Sequence, residues 1–307
     1  MRIAVIVPAF NVATFLHQAI DSLLRQTHAD WSLVLVDDGS TDATAAVAAG
    51  FRDRRIRVLR QDHEGVSAAR NRGARDAESL APGAYLFLDG DDWLAPDALA
   101  VLADTLDAAP WAVAACGRYA RVGMDGASCL SSAPPDGWLL ERLLIRNLFA
   151  NGGHLLIRCE AVEAAGDFRR DLCYGEDWEY WVRLALLGEF AAVRSRDPVL
   201  FVRERPGGAT LSHATDPTAY WPAMDAIHRN PAIALRVGGL RLAYLRRRAE
   251  AETAWSVGRE LIRHGRQREG RRWLGRSIRA SPSLRRLLLI GLSWPRFGPF
   301  RPYRMAA

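Results

Sequence analysis

The chain contains no lysine, so all 41 of its basic residues are arginine. A GC-rich genome produces such a bias unaided, and only the placement of the arginines bears on function. Cysteine is scarce. The four present (Cys116, Cys129, Cys159, Cys173) match neither a CxxC pair nor a zinc-ligand spacing. Long apolar runs are missing too. The longest near the end, Leu287 to Leu292, is far short of the ~20 residues that span a bilayer. No leader precedes the first strand-like run, and together with the cysteine pattern this gives a reducing cytoplasm as the expected compartment. Basic segments interleaved with aromatics, the kind that bind RNA, do not occur, which argues against nucleic acid as a partner.

What is present reads as soluble and globular: 307 residues, 49% apolar and 25% charged, enough for one large domain with an appendage. The net charge of +6 hides an asymmetry, because Arg246-Arg247-Arg248, Arg271-Arg272 and Arg285-Arg286 crowd the last third. Clustered there, they are expected to attract anionic lipid headgroups or an anionic acceptor, placing the protein peripherally at the inner face of the cell membrane. Arg2 to Val7 is an apolar β-branched run ended by Pro8 and reads as a buried strand. Phe15, Ala19, Ile20, Leu23 and Leu24 then recur at helical spacing. The alternation continues with strands at 32–36, 56–59, 84–88 and 111–116 and helices at 42–50, 66–78 and 97–107, which implies a mainly parallel sheet. Beyond 117 it breaks down. A strand at 155–157, a helix from Asp177 to Leu187 and a strand at 198–203 follow. Residues 204–217 read as a mobile loop, and the remainder as helical and basic. Gly258, Leu261, Gly270, Leu274 and Pro282 fit one tetratricopeptide-like helical hairpin, and a single copy makes no solenoid. The expected division is 1–217 and 218–307.

Carboxylates mark the ends of these strands. Asp37 and Asp38 stand where a strand turns through Gly39 into Ser40-Thr41-Asp42. That pattern is ordinary turn and cap chemistry, or a carboxylate accepting from a nucleobase N–H or a ribose hydroxyl. Asp89-Gly90-Asp91-Asp92 follows the strand at 84–88 and places oxygen ligands around a hard cation, with Gly90 allowing close backbone approach. A calcium loop is disfavoured, because Trp93-Leu94-Ala95-Pro96 offers no further oxygen ligands. Glu176-Asp177 opens a helix whose apolar face is Trp178, Trp181, Leu184 and Ala185. Acids there suit the helix dipole, and one of them suits a base that takes a proton from an acceptor hydroxyl. Gly65 to Gly73 starts a small-residue helix that either packs closely on the sheet or carries Arg70 or Arg72 to a nucleotide. His213, near Arg203 and Arg205, is a candidate for reaching a pyrophosphate or a metal.

The ordered set VIVPAFN, LVLVDDGSTD, GVSAARNRG, FLDGDDW and YGEDWEYWVRL resembles the inverting family 2 glycosyltransferases of the GT-A fold, over about residues 1–205. The resemblance implies an α/β, Rossmann-like sheet flanked by helices, a nucleotide-sugar donor (usually a UDP-sugar), and Mn²⁺ or Mg²⁺. It implies that Pro8, Ala9, Phe10 and Asn11 border the nucleoside, and that Asp38, with Asp37, binds base or ribose. Asp89 and Asp91 become the DXD pair, Asp91 being the metal ligand of choice, and Asp177 the catalytic base with Glu176 beside it. The implied reaction is hexosyl transfer to a glycan or lipid-linked hydroxyl in polysaccharide biosynthesis. Two other readings compete. A sugar nucleotidyltransferase shares the sheet and metal but carries a Gly-rich basic loop after its first strand, which Pro8 to Phe15 is not. A non-catalytic nucleotide-sugar-binding protein or membrane scaffold has no need of the full set of acids kept here.

Overall fold

The computed structural model describes residues 1–205, 213–283 and 286. Half of the expected mobile loop (206–212), Arg285 and the aromatic tail Trp294 to Phe300 lie outside the described residues. The chain divides into two compact units, residues 1–143 with 147–205, and residues 144–146 with 206–307.

In the first unit the apolar runs become strands buried on both faces, as a parallel sheet covered by helices requires. The strands are β1 (Ile3–Ala9), β2 (Trp31–Asp38), β3 (Ile56–Gln61), β4 (Ala84–Phe87), β6 (Ala112–Cys116), β9 (Leu155–Arg158) and β10 (Glu189–Ala192), in the spatial order β10-β6-β9-β4-β1-β2-β3. All neighbours are parallel except β9, which runs antiparallel to both β4 and β6. The fold is thus the expected α/β arrangement, a mainly parallel sheet flanked by helices. Strand β1 does not stop at Pro8. It continues to Ala9 in register with β2, and the missing proline N–H is tolerated because pairing with β4 reaches only Ile6. The chain runs outward from β1 through β2 to β3, then returns to place β4 on the other side of β1. Strand order therefore reverses at β1 and β4, where an open α/β sheet forms its ligand crevice.

A second, four-stranded sheet was not anticipated. It joins β5 (Trp93–Leu94), β11 (Pro198–Arg203), β7 (Arg118–Val122) and β8 (Ser128–Leu130), in the order β5-β11-β7-β8. Its effect is positional: it brings the end of β11 beside the acidic turn that follows β4. Helix α1 (Ala13–Leu24) buries Leu16, Ala19, Ile20 and Leu23 as the spacing predicts, and α7 (Glu176–Leu187) buries Trp178, Trp181, Leu184 and Ala185.

In the second unit the described helices are α8 (Trp221–His228), α9 (Pro231–Val237), α10 (Gly239–Arg263) and α11 (Gln267–Ala280). The expected hairpin is α10 and α11. Their backbones cross closely at two glycines: a Cβ on Gly258 would lie 2.9 Å from the Gly270 carbonyl oxygen. Ser277 Oγ donates to Ala251 O at 2.7 Å across the same crossing. Arg246 departs from the expectation of an outward-facing cation. It is committed to Asp225 at 2.5 Å and Glu250 at 3.2 Å, and Arg286 is likewise committed to Glu252.

Helix α3 (Val66–Ala77) lies on β1 and β2 through its small residues, as one of the two sequence readings held. A Cβ on Gly73 would come within 2.5 Å of Ile6 Cγ2 and 3.3 Å of Val36 Cγ2, both in the buried sheet. Gly73→Ala should therefore destabilise the protein by about 1–3 kcal/mol through overpacking, although helix propensity alone favours alanine by about 1 kcal/mol. Gly50→Ala at the end of α2 (Thr44–Gly50), where nothing lies within 4 Å, should be neutral or stabilising. Urea denaturation of the two variants checks the contrast.

Candidate active site

Three strand-end loops meet at the crevice and brace one another. Asn11 takes a left-handed conformation (φ 52°), which asparagine tolerates better than most residues. Its Oδ1 accepts from Thr41 N at 2.9 Å, and its own N–H donates to Ser40 Oγ at 3.0 Å. Val12 N donates to Thr44 Oγ1 at 2.9 Å. The loop after β1 is thereby fixed to the loop after β2. Gly39 (φ 72°) cannot be replaced without strain, because a Cβ there would also meet His63 N at 2.7 Å. Phe10 is 40% exposed and stacks on the His63 ring, with centroids 3.9 Å apart and planes at 17°.

The two adjacent aspartates of β2 have different fates. Asp38 Oδ1 accepts from Gln61 Nε2 (2.7 Å) and Glu64 N (2.9 Å), and Oδ2 from Gly65 N (2.9 Å) and His63 Nδ1 (2.9 Å). A carboxylate offers about four acceptor sites, so Asp38 is spent on the loop 61–65. Asp37 is 1% exposed and accepts from Ser40 N at 3.1 Å through Oδ1. Its Oδ2 accepts no hydrogen bond and has only Arg60 Nε at 3.4 Å. The expected emphasis on Asp38 thus shifts, since the oxygen without a hydrogen bond belongs to Asp37.

The acidic cluster is organised by Arg70, which is 4% exposed. Its Nη2 donates to Asp89 Oδ1 at 2.8 Å and its Nη1 to Glu176 Oε1 at 2.9 Å. Burial works against its charge, but Asp89 and Glu176 outweigh that penalty and hold the guanidinium charged more firmly than free arginine. The neighbouring Asn71 fixes this geometry, exchanging two 2.8 Å hydrogen bonds with the Phe168 backbone ahead of α7. Asn151 Nδ2 bridges Asp92 Oδ2 (2.6 Å) and Asp89 Oδ2 (3.2 Å), and Asp92 Oδ1 accepts from Arg203 N at 2.8 Å. Asp91 Oδ2 accepts from Arg205 Nε at 2.7 Å. Burial, and then Asp89, push the Asp91 carboxyl above the usual carboxylate range, and Asp92 is pushed well above it by the same causes.

Among the described residues, no group of three or more His, Cys, Asp or Glu side chains is arranged to hold a metal unaided. The cluster nonetheless fits Mn²⁺ or Mg²⁺. Such ions take one or two carboxylates and draw their remaining ligands from water and phosphate. After burial, the raised proton affinity of Asp91 and Asp92 comes from neighbouring carboxylates, whose repulsion a cation would offset. Asp177 differs from Glu176 beside it. It makes no ion pair among the described residues: Oδ2 accepts from Asn147 Nδ2 at 3.2 Å and Oδ1 from Trp178 N at 2.6 Å. Burial, then Glu176, push its carboxyl up to about 7 against the pull of Arg70. Trp178 is anchored behind it, donating through Nε1 to Leu143 O at 2.7 Å.

The sequence-derived residues are therefore largely gathered, with changes of role. Pro8 and Ala9 are buried in the sheet beside Val36 and Asp37 and lie against the acidic turn, where a Cβ on Gly90 would come within 3.1 Å of Pro8 O. Asn11 braces a loop. Both arms of the Arg70 fork are occupied within the protein. Arg72 points away, donating to Arg60 O at 2.9 Å. His213 belongs to the second unit, whereas the cluster described here is drawn from the first. Reading the sequence missed His63, Asn147 and Asn151. The run Gln61-Asp62-His63-Glu64-Gly65 directly after a strand was a signal for the first, and the Asn151-Gly152-Gly153 turn a weaker one for the last.

The family model described as Glycosyl transferase family 2 matches residues 4–163, just over half of the chain. The Bacillus subtilis (strain 168) uncharacterized glycosyltransferase EpsJ is 38% identical over 120 residues, covering 38% of this chain and 34% of that protein. The chain thus spans about a third of the length of that relative. Among solved structures, S. aureus TarS 1–349 in complex with UDP-GlcNAc superposes with a TM-score of 0.69 at 20% identity, covering 92% of this chain and 82% of that one. The mannosyltransferase PcManGT from Pyrobaculum calidifontis, in complex with GDP-Man and Mn²⁺, superposes with a TM-score of 0.59 at 18% identity, covering 96% and 79%. At these identities the structural matches establish the fold.

Truncating Arg70 leaves two largely buried carboxylates without their counter-ion. Arg70→Ala should cost about 3–5 kcal/mol of stability. Arg70→Lys should recover only part of it, because a point charge cannot fork between Asp89 and Glu176. Chemical denaturation of both variants measures this.

Proposed function

This chain belongs to glycosyl transferase family 2, and from that premise we propose that it transfers a sugar with inversion from a UDP-sugar to a hydroxyl of a glycan or lipid-linked acceptor. The chemistry is assigned to residues 1–217, and 218–307 to an acceptor- or surface-facing role. The observation that carries the reading is the division of labour at the start of α7: Glu176 is locked to Arg70, while Asp177 is unpaired and its carboxyl is pushed up to about 7. A general base works best with a pKa near the operating pH.

The exposed face of Phe10 offers a stacking surface for the base. Asp37 Oδ2 is available to accept from a base N–H or a ribose hydroxyl. The UDP-GlcNAc held by the TarS neighbour supports a UDP-sugar, and the Mn²⁺ of the mannosyltransferase neighbour supports a divalent cation. Asp89 and Asp91 would hold that cation, with Arg205 yielding its contact to Asp91. The ion would supply Lewis-acid neutralisation of the diphosphate leaving group. Asp177 Oδ2 takes the proton of the acceptor hydroxyl as its oxygen attacks the anomeric carbon from the face opposite the diphosphate. The carbon–oxygen bond to UDP breaks in the same displacement, and the anomeric configuration inverts. Trp178 walls off the base from behind. No helix among the described residues is long and apolar enough to cross a membrane.

Asp177→Asn keeps the shape and removes the proton acceptor. Turnover of UDP-sugar with acceptor should fall about 10²–10⁴-fold with little change in UDP affinity by calorimetry. Donor binding lost along with turnover would remove Asp177 from the role of base. Asp91→Ala should instead abolish Mn²⁺-dependent UDP binding. The pH profile follows from the sign of the Asp177 shift: the base is protonated below about 7. Log kcat/KM of the wild-type enzyme should therefore rise with unit slope on the acid side and level off above that pH. A profile flat from pH 5 to 8 would contradict the assignment.

A further inference from the structure

We propose that the second unit contains a binding site for a phosphate ester of a polyol, in a cavity along helix α10. The cavity encloses about 650 Å³ and is walled by Arg146, Arg248, Arg259 and Arg286, with Glu252 as its sole acid. Arg248, Glu252, Trp255 and Arg259 follow one another on α10 at steps of four, three and four residues, so they form one stripe of the helix surface. The acid is already used: Arg286 pairs with Glu252, and its guanidinium lies over the Trp255 ring, 5.5 Å from the centroid. Arg146, Arg248 and Arg259 have no carboxylate partner among the described residues. Their neighbours on the same hairpin do, as Arg246 with Asp225 and Glu250, and Arg263 with Glu260, show.

Guanidiniums facing one cavity repel unless an anion lies between them. Their planar fork matches phosphate oxygens, so phosphate is the anion this wall suits. The volume falls within the range of small-molecule sites and exceeds what a bare phosphate fills. Trp255 supplies an apolar face against which a glycerol or sugar moiety packs. Such a group comes from one of two sources, a soluble glycan or glycerol phosphate or the headgroup of an anionic phospholipid. The inference does not depend on the donor assignment made for the first unit.

The test uses the full chain. Calorimetry with glycerol 3-phosphate and co-sedimentation with phosphatidylglycerol vesicles are each compared with the Arg248→Gln/Arg259→Gln variant, and UDP binding monitors integrity. At least one probe should bind, and the variant should weaken it about tenfold or more, the worth of a charge-assisted hydrogen bond, with UDP affinity unchanged. Binding of glycerol 3-phosphate identifies the soluble source, and binding of vesicles alone identifies the headgroup. Should the glutamine variant lose UDP binding, Arg248→Lys/Arg259→Lys decides, because it keeps the charge and removes the fork: weakened probe binding supports the site, and unchanged binding overturns it. Failure of both probes to bind, equal binding by an intact glutamine variant, or equal affinity for phosphatidylcholine vesicles would also overturn it.

Discussion

Arg70 is the buried cation on which the geometry of the crevice depends. It reaches from the middle of α3 to the acid after β4 and the first acid of α7, elements separated by 19 and 106 positions from it in sequence. Removing a guanidinium from water is costly, and only close, well-oriented carboxylates offset that cost. Asp89 and Glu176 do so, with Phe168 beneath at 5.3 Å from the guanidinium carbon. Two consequences follow. The start of α7 is fixed relative to the sheet, and Glu176 is occupied, which leaves Asp177 as the acid whose proton affinity is set by burial and repulsion. Five carboxyls (Asp89, Asp91, Asp92, Glu176, Asp177) share the ion pairs of two arginines, Arg70 and Arg205. The remaining imbalance is what a cation would correct.

The side of the crevice formed by β1, β2 and β3 is stiffened by a different device. There the loops after β1, β2 and β3 are cross-braced by neutral and charge-assisted hydrogen bonds between side chains and backbone N–H groups. Asp38 is the centre of this bracing, and its four acceptances explain why a residue at a ligand-facing strand end serves the protein itself. Donors and acceptors set in advance lose little on meeting a ligand. Asp37 and Phe10 are left as the groups with an unused acceptor and an unused ring face.

Much of this was legible in the sequence, and the exceptions have physical reasons. Six of the seven main-sheet strands are marked by short runs rich in apolar residues, and α1 and α7 by their apolar spacing; β10, four residues at the sheet edge, does not read as a strand. The second sheet is not marked in this way. Only β11 reads as a strand from the sequence. β5 has two residues, β7 carries two arginines among its five residues, and β5 pairs with β11 across more than a hundred positions, so no local pattern encodes the pairing. Which of two adjacent acids is committed within the protein was equally hidden. Neighbours on a strand point to opposite faces, and neighbours on a helix diverge by about 100°. A one-residue shift in an element's orientation therefore exchanges Asp37 with Asp38, or Glu176 with Asp177. Asn151 was hidden because its partners Asp89 and Asp92 lie 62 and 59 positions away.

The absence of lysine acquires a structural sense at these contacts even if base composition produced it. At Arg70 one side chain must satisfy two carboxylates in different directions. At Arg183 the fork grips Glu179 by Nε at 3.0 Å and Nη2 at 2.9 Å. At Arg203 the same side chain donates to Asp91 O and Gln18 Oε1 while its backbone N–H holds Asp92. Each position uses several directed donors on one rigid plane, which an ammonium on a flexible stem does not provide. An exposed pair such as Arg75 with Asp167 uses only charge at the surface, where the contribution is about 0–1 kcal/mol. Arginine is thus required by geometry at these three positions and interchangeable with lysine at exposed single-contact pairs. The compositional bias costs the protein little outside the crevice while supplying the forks that the crevice needs.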